Sequence, residues 1–164
     1  VTPPHQQPNW AWLLKTARGL IRQVNSEQAV IDRWTLGGGT AMMLQIDHRE
    51  SHDVDIFLSD PQLLSFLDPQ KHDFQFEIWP TDYAGDGASF QKLAFKHIGE
   101  IDFIVGHAMT SSPTTQRTVE GETTLLENDS RDHHQKDLSS RVQHKAARYL
   151  RYCRGRRTTR GFGH

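Results

Sequence analysis

Residues 34–58 read WTLGGGTAMMLQIDHRESHDVDIFL, and this stretch restricts what the chain can fold into more than any other. A hydrophobic run ends in Gly37-Gly38-Gly39-Thr40. Residues 40–52, 13 in number, then lead to Asp53-Val54-Asp55-Ile56-Phe57. That interval suits one short helix and a return to an adjacent strand, so the spacing predicts strand, glycine turn, helix and strand. Gly38 and Gly39 lack a Cβ, which lets phosphate oxygens approach their backbone N–H groups. A helix starting near Thr40 aims its free N–H groups and positive dipole end at the same spot. Ala41, Met42, Met43, Leu44 and Ile46 are expected to pack that helix onto a sheet. Asp53 and Asp55 project from one face of their strand, with Val54 and Ile56 turned to the core. Two such carboxylates can share Mg²⁺ that also holds triphosphate oxygens. Each part alone has a plain alternative: a tight turn for the glycines, a solvated strand end for the two aspartates. His48, Arg49 and Ser51 fill the return, either steadying phosphates or solvating a loop.

The flanking pattern supplies the rest of the fold. Trp10, Leu13, Leu14, Ala17, Leu20, Ile21 and Val24 recur at spacings of three and four, which predicts an amphipathic helix with a core-packing stripe. A second short helix is expected over 26–31, and a strand over 33–36. After Asp60-Pro61, residues 62–67 suit a short helix. Alternation of Phe74, Phe76 and Ile78 with Gln75 and Glu77 predicts a half-buried strand, and 83–88 a turn. Residues 90–97 and 100–105 form a hairpin across Ile98-Gly99. Glu100 and Asp102 share one face of its second strand, opposite Ile101, Phe103 and Val105. Asp102 is then a candidate third carboxylate, completing a metal cage or accepting a proton; the alternative is an exposed Asp on an edge strand.

Composition bounds the class. A chain of 164 residues suits one domain with a real core. Mean hydropathy of −0.67 with 35% hydrophobic residues is low for a compact domain, so part of the chain is expected not to fold. No apolar run approaches the roughly 20 residues of a membrane span, and VTPPHQQPNW lacks the pattern of a secretory leader. Val1 suits a literally translated GUG start, an indication of a bacterial gene. The lone Cys153 excludes an internal disulfide and fits a reducing cytoplasm.

GGGTAMMLQIDHRESHDVDIF resembles the nucleotidyltransferase AbiEii/AbiGii toxin family, whose signature is close to L-x-G-G-T-A-L followed by H-R-x-S-x-D-h-D-h-F. Gly38, Gly39, Thr40, Ala41, His48, Arg49, Ser51, Asp53, Asp55 and Phe57 occupy signature positions, with Met42 replacing Leu at similar volume. The resemblance covers roughly 10–127. It implies an α/β (α+β) polymerase-β-like nucleotidyltransferase core, a small mixed sheet flanked by helices. It implies Mg²⁺ as cofactor, an NTP as substrate, and in some members tRNA as acceptor. Several members are toxins of two-gene toxin–antitoxin or abortive-infection (phage-defence) systems, so a cognate antitoxin is an implied partner. On this basis Asp53, Asp55 and Asp102 are the candidate catalytic residues, with Asp53 and Asp55 holding metal. Gly38, Gly39, Thr40, Arg49 and Ser51 are the candidate nucleotide-binding residues.

The last 37 residues depart from this pattern. Residues 1–127 carry 9 Lys/Arg against 17 Asp/Glu, whereas 128–164 carry 10 against 3. A basic tail of this kind suggests nucleic-acid binding, and Arg154, Arg156, Arg157 and Arg160 would suit a tRNA-binding arm. His133, His134 and Cys153 resemble metal ligands only superficially. The family instead continues with a segment like L-E-T-P-E-E-I-I-A-K-K-L, then R-D-I-F-D-L-A, whose lysine and aspartate are read as active-site residues. Reading the tail from the second base of each codon permits ETTPEIIIKKIYHRGSNIKRRDIFDIAA. One base inserted after the Glu127 codon would therefore produce the tail as written. The expected organisation is a loose lead at 1–9, a nucleotidyltransferase core at 10–127 and a frameshifted, poorly ordered tail at 128–164, the C-terminal helical part being missing or disordered. Transfer of a nucleotide to an RNA (tRNA) or protein hydroxyl is the expected function. The alternative is an inactive remnant that binds nucleotide or a protein partner.

Overall fold

Nineteen residues, Asn9–Glu27, form helix α1, and its stripe is the one the spacing predicts. Leu13, Leu14, Ala17, Leu20, Ile21 and Val24 are all buried, and Trp10 packs half-buried against the same core. Burying such side chains contributes roughly 1.5–3 kcal/mol each, which fixes which face of the helix meets the sheet. The computed structural model describes residues 9–46, 51–106 and 114–127. The expectations for the lead at 1–8, for His48 and Arg49, for the Ile46 side chain and for the tail at 128–164 lie outside the described residues.

The order after α1 is β1 (Thr35–Gly37), α2 (Gly38–Ile46), β2 (Asp53–Leu58), a 3₁₀ segment (Pro61–Leu67), β3 (Asp82–Gly85), β4 (Phe90–Phe95), β5 (Gly99–Val105), β6 (Thr114–Val119) and β7 (Glu122–Glu127). The strands build a seven-stranded mixed sheet in the order β3-β4-β5-β2-β1-β7-β6. β2 runs parallel to β5 and β1 parallel to β7; the remaining neighbours are antiparallel. Val54, Ile56 and Leu58 of β2 and Ile101, Phe103 and Val105 of β5 join the α1 stripe in the main core. Alternation turns Asp53, Asp55, Glu100 and Asp102 to the other face. Of α2, Ala41 is buried and Leu44 packs on the core, while Met42 and Met43 are only half-buried.

Three local expectations are corrected and one alternative is excluded. Residues 28–31 form no helix, because the Asn25 side chain takes over the backbone there. Its amide donates to the Ile31 carbonyl at 2.8 Å and its oxygen accepts from the Ile31 N–H at 3.0 Å. Residues 74–78 alternate as a strand does, yet among the described residues they pair with no strand. Gln23 of α1 instead donates to the Gln75 carbonyl at 2.9 Å and accepts its N–H at 2.8 Å. The strand in this region is β3, which overlaps the first half of the stretch expected as a turn; the turn itself is drawn tight by Asp86, whose Oδ1 accepts from the N–H groups of Ala88, Ser89 and Phe90. Finally, β5 is no edge strand: it lies between β4 and β2, and Asp102 is fully buried.

The β6–β7 hairpin was not expected from the sequence. Most of β6 is solvent-exposed and polar, so it shows no apolar alternation. Its turn is set by Glu120 and Gly121, both left-handed at φ 49° and 79°. Arg18, buried on α1, fastens this hairpin to the helix. It donates to the Val119 carbonyl at 2.9 Å and to the Thr124 hydroxyl, and its Nε stands 3.2 Å from the Glu122 carboxylate, an ion pair without hydrogen-bond alignment. Arg18→Met should therefore cost roughly 2 kcal/mol of unfolding free energy. Amide hydrogen exchange should rise in β6 and β7 more than in β4 and β5; uniform protection across the sheet would contradict this fastening role.

Candidate active site

The register of the sheet writes the site out as a row. Reading across one face, Ala84 of β3 stands beside Lys92, Lys92 beside Asp102, Asp102 beside Asp55, and Asp55 beside Gly37. A second row, one step along, runs Asp82, Ala94, Glu100, Asp53. Four carboxylates thus sit on two adjacent parallel strands, with a lysine at one flank and the glycine turn at the other. At the glycine flank the Glu127 carboxylate of β7 lies against Gly37.

Gly38 is required there by its backbone. Its φ is +64°, and a Cβ built on it would overlap the Asp55 carboxylate. The turn into α2 is therefore folded directly over Asp55, which brings the start of the helix to the acidic row. Thr40 and Ser51 hold the two ends of this turn together. Both hydroxyls donate to the Asp53 carbonyl, Ser51 at 3.0 Å. Any contact of Thr40 with phosphate is thus left to its backbone N–H. Gly38, Gly39, Thr40 and Ser51 are brought together beside Asp53 and Asp55, and Asp102 joins them from β5.

The carboxylates differ in what they touch. Asp53 Oδ1 accepts from the Glu100 N–H at 3.1 Å. Asp55 Oδ1 and both oxygens of Asp102 are buried without a hydrogen-bond partner among the described residues. Leaving such oxygens unpaired is costly unless they are protonated or meet a cation. Burial, followed by the charges of Asp102 and Asp53, drives the Asp55 carboxyl well above its usual range. Burial pushes Asp102 up to about 7 against the pull of Lys92, with Glu100 and Asp53 adding to the rise. Asp53 is raised for the same first reason, burial, with Glu100 second. Burial alone would lower the Lys92 ammonium; Asp102 and Glu100 beside it outweigh that and hold it above its ordinary value.

An oxygen-only set with unpaired buried carboxylates fits a hard divalent cation such as Mg²⁺. Among the described residues no three Asp, Glu, His or Cys side chains already converge as a cage. The set is thus an open acidic face and not a closed cage. Beside it lies an open trough of about 870 Å³, lined by Asp53 and Glu100 together with Asn9, His52, Thr81 and Lys96.

Lys92, Glu127 and a distinct part for Glu100 were missed from the sequence. Lys92 had no usable signal, since a turn at Ile98-Gly99 would set residue 95, not residue 92, opposite residue 102, whereas the observed register pairs Phe95 with Gly99. Glu127 had none, because the β6–β7 hairpin that carries it was itself unexpected.

A mixed sheet with helices on its core face, a glycine turn entering a helix and neighbouring acidic strands is the architecture of a nucleotidyltransferase. The family profile of the nucleotidyl transferase AbiEii toxin, type IV toxin–antitoxin system, matches residues 20–127, and the chain belongs to this family. It is accordingly a transferase by membership. Among solved structures it is similar to a Thermotoga maritima protein assigned as a nucleotidyltransferase, with 13% identity, a TM-score of 0.51, and coverage of 92% of this chain and 95% of that one. At that identity the likeness speaks for the fold alone. An antigenic nucleotidyltransferase-like protein of Paracoccidioides brasiliensis matches with 14% identity, 69% and 62% coverage and a TM-score of 0.36. No curated protein matches. No helix among the described residues is long and apolar enough to cross a membrane.

Two outcomes follow from this geometry. Raised carboxyl pKa values mean that, between about pH 4 and 7, the native state holds protons which the unfolded chain has released. Stability of the metal-free protein should be highest near pH 4 and fall as pH rises through about 7, the value of Asp102. Asp102→Asn should flatten that slope in thermal melts; a slope unchanged by the substitution would refute it. Gly38→Ala should lose roughly 2–3 kcal/mol, from left-handed strain and overlap with Asp55, and Gly38→Ala/Asp55→Ala should recover part of the loss.

Proposed function

We propose that the chain is a Mg²⁺-dependent nucleotidyltransferase that moves a nucleotide from an NTP to an RNA (tRNA) or protein hydroxyl. The observation that carries this reading is Asp55 facing Asp102 on parallel strands, both buried, with carboxylate oxygens left unpaired beneath the glycine turn. Asp53 and Asp55 would hold Mg²⁺, with Asp102 completing the set. When bound, the ion would neutralise triphosphate charge and polarise the α-phosphate.

The chain's own groups do the rest. Gly38 and Gly39 offer N–H groups at the start of α2, where the helix dipole favours phosphate. Thr40 adds its backbone N–H, while its hydroxyl and that of Ser51 keep the strand carrying Asp53 in position. Arg49, in the family signature, is proposed to assist at the phosphates. The trough leading to Asp53 gives the acceptor hydroxyl a route to the α-phosphorus. A bond forms from that oxygen to phosphorus as the hydroxyl proton passes to Asp102, the bond from phosphorus to the bridging oxygen breaks, and pyrophosphate leaves.

As a member of a type IV toxin–antitoxin family, the chain would be a toxin opposed by a cognate antitoxin, working in a bacterial cytoplasm, with abortive infection as its setting. The test is purified protein with labelled NTPs, Mg²⁺ and total tRNA. Label should enter RNA or protein, and Asp53→Ala or Asp55→Asn should lower the rate on the order of a hundredfold. Undiminished transfer in either variant would refute the site. No transfer with nucleotide binding intact would favour the inactive remnant.

A further inference from the structure

Geometry alone does not say which of the four carboxylates on this face serve a cation, because Glu100 stands beside Asp53 just as Asp102 stands beside Asp55. Lys92 breaks the tie. Its side chain is 6% exposed, so its stem is held by packing and its ammonium has little freedom. Nζ lies 2.6 Å from Glu100 Oε2, a charge-assisted hydrogen bond, but 3.7 Å from Asp102 Oδ1, too long for one. Asp102 is the residue directly across the ladder from Lys92, yet the ammonium leans one step along to Glu100.

We propose that Lys92 is a positioning residue that sequesters Glu100 and so leaves Asp53, Asp55 and Asp102 as the cation-binding set. This rests on the reading of that face as a metal site. An ammonium within hydrogen-bond distance occupies one Glu100 oxygen, Oε2, and offsets the charge that would draw a cation to the other. Its distance from Asp102 leaves both Asp102 oxygens available while lowering the repulsion between Asp102 and Asp55. A lysine suits this better than an arginine, whose planar fork favours bidentate pairing and would draw in both acids.

The test uses the wild-type chain first. With ¹³C-labelled side-chain carboxyls, Mg²⁺ added without nucleotide should move the resonances of Asp53, Asp55 and Asp102 and leave that of Glu100 in place. A Glu100 shift as large as those of the aspartates would overturn the sequestering role while leaving the metal site standing. No shift at any aspartate would overturn both. In Lys92→Met, Glu100 should join the responding set and Mn²⁺ should bind about tenfold more tightly, the effect of one nearby charge removed. Lys71→Met, which removes an exposed lysine outside the trough and the hairpin, should leave the Mn²⁺ affinity unchanged. An equal gain in Lys71→Met, or none in a folded Lys92→Met, would overturn the proposal. The wild-type spectra decide it even where Lys92→Met does not fold.

Discussion

The parallel pairing of β2 with β5 is the constraint on which the rest of this structure depends. Its register is fixed by apolar residues: Val54, Ile56, Ile101 and Phe103 must all face α1. With period-2 alternation, that requirement forces Asp53, Asp55, Glu100 and Asp102 onto the opposite face in matched pairs. A slip of one residue would bury the acids under α1 and expose the core. Hydrophobic burial therefore supplies the energy that holds like charges together, and the acidic face cannot relax by moving its strands.

That arrangement accumulates repulsion, and the neighbouring elements each answer part of it. Lys92 contributes the positive charge on one flank. The turn at Gly38 folds over Asp55 on the other and closes it off from solvent. The Glu100 N–H gives Asp53 a donor. What is left over is concentrated on Asp55 and Asp102, the two carboxyls raised furthest from their ordinary range. Burial distinguishes this face from an ordinary acidic surface, since the same four residues exposed to water would be screened.

The middle of the chain was legible because its signals are local and periodic. The stripe of α1, the glycine turn and the alternation of β2 each lie within a few residues, and the comparison with the family covers the same span. Reading failed where a long-range partner decided the outcome. Gln23 captures the backbone of Gln75 across 52 residues, and an alternating segment pairs with a side chain in place of a strand. Arg18, a cation on an otherwise apolar face, is kept there by Thr124, 106 residues away. Lys92 lay within an expected strand, but its significance needed the ladder register, which periodicity alone does not provide.

The β6–β7 hairpin has a consequence beyond closing the sheet. β7 runs parallel to β1 and finishes at Glu127, whose carbonyl accepts from Gln45 of α2 and whose carboxylate rests against Gly37. The exit point of the described core is thus the rim of the acidic face itself. The far hairpin of the sheet places its last carboxylate at the border of the acidic face, next to the glycine turn.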